Sequence, residues 1–137
     1  MTTAASIAVR TKEIIRTAPR ITVADAAAID LGPWTDKPDD LGPDMRALVL
    51  WRAPDSAAIT GVWECDPGTF RVDFGPAGEF AQFLSGHVTC RSDDGDTFEL
   101  REGDVMTFVP GWSGEWTAHS RLRKIYCTFG TLAAKEG

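Results

Sequence analysis

From Gly61 to Phe129 the chain is a succession of short strand-like segments, each closed by glycine, proline or aspartate, with no long helical stretch between them. A half-buried sheet face must be covered by another layer. Strands this short and this evenly spaced cover one another, which restricts the chain to a sandwich or a small barrel. The segments predicted as strands are Ala47–Arg52, Ile59–Cys65, Thr69–Phe74, Glu79–Leu84, His87–Arg91, Thr97–Leu100, Val105–Val109, Glu115–Ala118 and Arg123–Phe129. Between them, Pro67-Gly68 suits a tight turn, because Pro presets φ and Gly tolerates a positive one. Ser92-Asp-Asp-Gly-Asp96 joins two alternating runs and predicts a hairpin.

The pattern changes near Met45, so residues 1–46 are read as an N-terminal arm, 47–130 as the barrel and 131–137 as a short tail. Within the arm, Thr22 is placed to cap a short helix with Asp25 in its first turn. Glu13 to Arg16 reads alternatively as a strand. Leu31 to Pro43 is rich in Gly, Pro and Asp and reads as loop. Asp36, Asp39, Asp40 and Asp44 match no calcium-loop spacing and are expected to be solvated.

A chain of 137 residues buries a core without disulfides or structural metal. Cys65, Cys90 and Cys127 are odd in number and form no C-x-x-C pair; they are expected to be buried free thiols. The net charge of −6 argues against nucleic acid as a partner, since phosphate contacts demand a basic surface. No apolar run approaches a membrane span, so no membrane partner is expected. Arg10, Lys12 and Glu13 interrupt the only candidate leader, and a cytoplasmic location is expected. No nucleophile motif or phosphate-cradling loop is present.

Several motifs occur in a familiar order: Gly61-Val-Trp-Glu-Cys-Asp-Pro-Gly68, Glu79 with Gly86, Gly103-Asp104, Gly111 through Gly114 to Trp116, and Arg123-Lys-Ile-Tyr126. In these the chain resembles the cupin superfamily over roughly its last two-thirds. More narrowly it is similar to the branch containing the (S)-ureidoglycine aminohydrolase type of cupin domain. The resemblance implies an all-β, RmlC-like jelly roll, the double-stranded β-helix of the cupin barrel, with a pocket between its sheets. It also implies a homodimer, with the arm packed on the barrel or on a neighbour. It does not select a reaction, because cupin activities are diverse.

Departures from the cupin pattern are as informative. A typical metal-binding cupin has H-x-H, then a glutamate, then a later histidine. Here Val72 to Pro76 holds no histidine, and Gly114 falls where the last one belongs, so Glu79 alone of the four ligands remains. One carboxylate does not hold a transition metal tightly, and no cofactor is expected. The alternative is a divalent transition metal on rearranged ligands drawn from Glu79, His87, Cys90 and His119. Against it, alternation puts Val88 and Cys90 on one face and His87, Thr89 and Arg91 on the other.

Glu79 is the candidate catalytic residue, as a pocket carboxylate and general base; the competing reading is an ion pair with Lys124. Trp63, Glu79, Gln82, Trp116, Lys124 and Tyr126 are the candidate ligand-binding residues. Trp63 and Trp116 are either pocket walls or core. Lys124, Tyr126 and Thr128 share one face of the last strand, which meets either solvent or a wet pocket; in a pocket, Lys124 favours an anionic ligand. Three functions follow: metal-free binding of a small polar or anionic metabolite with weak acid–base chemistry at Glu79, a metal-dependent enzyme, or a non-catalytic sensor or interaction domain.

Overall fold

The computed structural model describes residues 12–13, 20–34 and 42–130, the first pair as backbone only. Its elements are β1 (Lys12–Glu13), α1 (Val23–Ala28), β2 (Met45–Arg52), β3 (Ala58–Cys65), β4 (Gly68–Asp73), β5 (Ala77–Ser85), β6 (His87–Ser92), β7 (Thr97–Arg101), β8 (Val105–Phe108), β9 (Ser113–Ala118) and β10 (Leu122–Gly130). Every strand expected after Met45 is present, with ends moved by a residue or two. Of the strand expected over Glu13 to Arg16, Glu13 lies in β1, and Ile14 to Arg16 lie outside the described residues. Asp36, Asp39, Asp40 and the tail 131–137 also lie outside them.

Two sheets form the barrel: a six-stranded one in the order β1-β2-β3-β10-β5-β8 and a four-stranded one in the order β4-β9-β6-β7. All pairings are antiparallel except β1 with β2. Period-2 alternation then sorts the side chains. Trp63, Cys65, Phe70, Val72, Ala81, Phe83, Val88, Cys90, Phe108, Trp116 and Leu122 point between the sheets and form the main core. Cys65 and Cys90 are buried as expected, whereas Cys127 is only half-buried.

A second, smaller core lies on the opposite face of the six-stranded sheet. There Leu48, Leu50, Val62 and Leu84 meet Ala26 and Leu31 of the arm. Helix α1 begins at its expected cap: the Thr22 hydroxyl accepts a bond from the Asp25 N–H at 3.0 Å. At the other end, Arg123 Nη1 donates to the carbonyls of Ala26 and Ile29, both at 2.9 Å, replacing partners the helix lacks there. Glu64 holds that guanidinium at 3.2 Å and Arg46 Nε at 2.8 Å. Burial pushes the Glu64 carboxyl up, but the bonds from Arg123 and Arg46 outweigh it, and its pKa ends below the usual range. Trp34 lies against the guanidinium groups of Arg46 and Arg121, at 4.2 and 5.0 Å. Among the described residues no helix is long and apolar enough to cross a membrane.

Candidate functional site

The barrel interior is polar at one place, and three strands build it. In register, Trp63, Lys124 and Phe83 form one row across β3, β10 and β5; Gly61, Tyr126 and Ala81 form the next; Ile59, Thr128 and Glu79 form the third. The middle row is made of small residues around Tyr126. A Cβ on Gly61 would lie 2.7 Å from the Tyr126 hydroxyl, so glycine is what lets that ring lie inside. Lys124 reaches along the barrel, past Tyr126, and its Nζ donates to Glu79 Oε2 two rows away. Both side chains are about 95% buried, at 6% and 5% exposure. Of the two readings of Glu79 and Lys124, the ion pair is observed, and it lies inside the barrel.

Aromatic faces surround the ammonium. Its Nζ is 4.8 Å from the Trp63 ring, 4.9 Å from Trp116 and 5.7 Å from Tyr126, all within reach of a cation–π attraction. Trp116 comes from β9 in the opposite sheet and packs edge-on to Trp63 at 6.1 Å. Two buried polar atoms here have no hydrogen-bond partner among the described residues: Trp116 Nε1 and Thr128 Oγ1. An indole N–H can only donate, so the interior offers a donor awaiting an acceptor. Burial, and then the Glu79 carboxylate, push the Tyr126 phenol well above its usual range, so it stays a neutral hydroxyl. Burial also pushes the Cys65 and Cys90 thiols up to about 12, which removes both as nucleophiles.

Five of the six expected ligand-binding residues therefore converge: Trp63, Glu79, Trp116, Lys124 and Tyr126. Gln82 does not. It alternates onto the outer face of β5 between Phe80 and Leu84, away from Glu79. Thr128 joins the site, and only its place on the polar stripe of the last strand signalled it.

Glu79, His87, Cys90 and His119 do not gather into one transition-metal site. The Glu79 carboxylate is held by an ammonium, and Cys90 points into the core. His87 and His119 lie on the outer face of the four-stranded sheet, where His87 Nε2 meets Glu99 Oε1 at 2.6 Å and His119 Nε2 meets Thr89 Oγ1 at 2.7 Å. The rearranged set is thus split between two faces. Among the described residues no group of three or more His, Cys, Asp or Glu is gathered to hold an ion. Nor is there room for the missing histidine: a Cβ on Gly114 would stand 2.3 Å from the Arg91 carbonyl and 2.7 Å from the Trp112 ring.

Residues 52–126 match the family model of the EutQ-like cupin domain, and the chain belongs to that family. No curated protein matches it. Among solved structures, an ethanolamine utilization protein Q from Salmonella typhimurium LT2 is 24% identical, covering 64% of this chain and 70% of that one, with a TM-score of 0.56. The EutQ protein of Clostridium difficile is 18% identical over 71% and 78%, with a TM-score of 0.59. An ectoine synthase from P. lautus is 14% identical over 69% of each chain, with a TM-score of 0.56. At these identities the likeness concerns the fold alone.

Proposed function

We propose that this cupin domain binds a small polar or anionic molecule inside its barrel, against the Lys124–Glu79 pair and without a transition metal. The observation that carries this is the buried pair flanked by two unpartnered polar atoms. A purely structural pair would be expected to come with its neighbours satisfied, because an unpaired buried donor costs about 1–3 kcal/mol. A carboxylate or amide oxygen satisfies the Trp116 N–H and one of the remaining Lys124 N–H donors, and Thr128 accepts or donates as the ligand requires. Glu79 then stands as the acceptor for a ligand proton, held in its working position by Lys124. Weak acid–base chemistry there, a hydrolysis or an isomerisation, is the reaction this arrangement supports best. The resemblance to the (S)-ureidoglycine aminohydrolase type favours amide- and carboxylate-bearing ligands.

The test is a thermal-shift screen of the untagged protein against small carboxylates, amides and sugars, followed by calorimetric titration of any ligand found. Wild type, Trp116→Phe, Thr128→Val and Lys124→Met are compared. A ligand weakened roughly ten-fold by Trp116→Phe, the size of one lost hydrogen bond, and lost in Lys124→Met supports the assignment. Binding indifferent to all three substitutions removes it. Near one metal ion per chain, retained after dialysis without chelator and lost in Glu79→Gln, overturns the metal-free reading of the barrel.

A further inference from the structure

We propose a second site, on the outer face of the four-stranded sheet, where His87 and His119 together chelate a borderline divalent ion such as Cu2+, Ni2+ or Zn2+. It is independent of the barrel interior. The two residues are 32 positions apart in sequence, but β6 and β9 are hydrogen-bonded neighbours in register from Val88–Ala118 to Ser92–Gly114. The pairing continues one step further, with the His119 N–H donating to the His87 carbonyl at 2.9 Å. The two imidazoles therefore stand side by side on one face, their ring centroids 4.5 Å apart and their planes inclined by 34°.

Each ring is held through its Nε2. His87 Nε2 meets the Glu99 carboxylate at 2.6 Å, and His119 Nε2 meets the Thr89 hydroxyl at 2.7 Å. With the proton on Nε2, Nδ1 becomes the free lone pair of both rings; neither Nδ1 has a hydrogen-bond partner among the described residues. A carboxylate behind a histidine fixes its tautomer and raises its basicity toward a metal. Glu99 is itself held by Arg101 Nη2 at 3.1 Å, so it remains behind His87 and outside the coordination shell.

Two imidazoles supply half of a tetrahedral shell, and water supplies the rest. Bonds of about 2.0–2.1 Å to each Nδ1 require the two nitrogens roughly 3.3 Å apart, so the rings tilt together at that edge on binding. Nitrogen donors without thiolate or a direct carboxylate rank these ions with Cu2+ tightest.

The test is calorimetric titration of the full-length, untagged protein with CuSO4, NiCl2 and ZnCl2 in turn, with the unfolding midpoint of every variant measured alongside. The expected result is one ion per chain, with affinity falling at least ten-fold in His87→Ala and again in His119→Ala. In Glu99→Gln, which keeps both ligands, it falls about ten-fold through lost orientation. Glu79→Gln, in the barrel, leaves the affinity unchanged. For Cu2+, the paramagnetic resonance spectrum shows two nitrogen ligands. Absence of saturable one-to-one binding overturns the proposal, as does binding that survives removal of either histidine or that is lost in Glu79→Gln.

Discussion

Lys124→Met tests the barrel interior most directly. The substitution keeps the length and most of the volume of the side chain and removes its charge and its N–H donors. It leaves the Glu79 carboxylate, whose side chain is 5% exposed, without a counter-charge in an aromatic interior. Breaking a buried pair from one side costs about 3–5 kcal/mol. The reverse substitution is predicted to be milder. In Glu79→Gln the ammonium keeps three aromatic faces, Trp63, Trp116 and Tyr126, at 4.8, 4.9 and 5.7 Å, and the amide oxygen can still accept its bond. Those contacts offset part of the loss and bring the cost to about 1–3 kcal/mol. For a domain of this size a kcal/mol moves the midpoint by roughly 3–5 °C, so the two variants should separate clearly. Urea unfolding gives the free energies, provided the slope stays that of wild type. Removing both charges together, as Glu79→Leu with Lys124→Met, is expected to restore stability to within about 1–2 kcal/mol of wild type. A Lys124→Met cost below about 1 kcal/mol, or a Glu79→Gln cost larger than that of Lys124→Met, would refute the caged-pair reasoning.

Truncation to Lys124→Ala empties the cage, and millimolar methylammonium or ethylammonium is predicted to raise its unfolding midpoint while leaving wild type unmoved; equal shifts in both would deny the cage. Glu64 titrates lower when folded than its ordinary 4.5, so its contribution is complete above that value and is lost as pH falls through the folded one. Wild type should therefore lose more stability than Glu64→Gln between about pH 5 and 3, and parallel curves would contradict the assignment. A disulfide-exchange reagent at pH 8 is expected to modify at most Cys127 in the native protein and all three cysteines once it is unfolded, since burial holds Cys65 and Cys90 up to about 12. Gly114→His, the substitution that would return a histidine to its family position, should not bring in metal. It is predicted to destabilise by about 1–3 kcal/mol, because its Cβ has no space beside the Arg91 carbonyl.

The fold was legible because its signals are local. Alternation within Thr69–Phe74 or His87–Arg91 assigns each side chain to one of two faces, and Ser92 to Asp96 closes its hairpin with no help from distant residues. Thr22 capped its helix for the same reason. The site was legible only in part. Glu79, Trp63, Trp116, Lys124 and Tyr126 were each visible, yet alternation does not say which face of β5 or β10 is inside. Ala81 and Phe83 settle that only once they meet the opposite sheet. Alternation along β5 does put Gln82 opposite Glu79, so only one of the two could line the interior, and Gln82 lies outside. The pairing of His87 with His119 was harder still, because it exists only through β6 lying beside β9, a contact between segments distant in sequence.

The interior also explains why one glutamate can persist alone where a metal-binding cupin has four ligands. A divalent ion needs several donors to replace its water, and an isolated carboxylate in a closed barrel would be an uncompensated charge. Lys124 removes both difficulties, because it carries its charge on a tether from β10 and adds exactly one unit to balance one carboxylate. Its hydration is replaced by ring faces rather than by further anions, so the surrounding positions are free to be Trp63, Trp116 and Tyr126. With histidines absent from the interior, the barrel closes around apolar and aromatic residues, and Gly114 can sit tight against β6. What remains polar is then small in extent: a neutral pair, an indole N–H and a threonine hydroxyl. That set selects ligands by hydrogen-bond pattern more than by net charge. A doubly charged anion is accordingly expected to bind less well than a singly charged carboxylate or a neutral amide of the same shape, and calorimetric titration of such a matched set decides it.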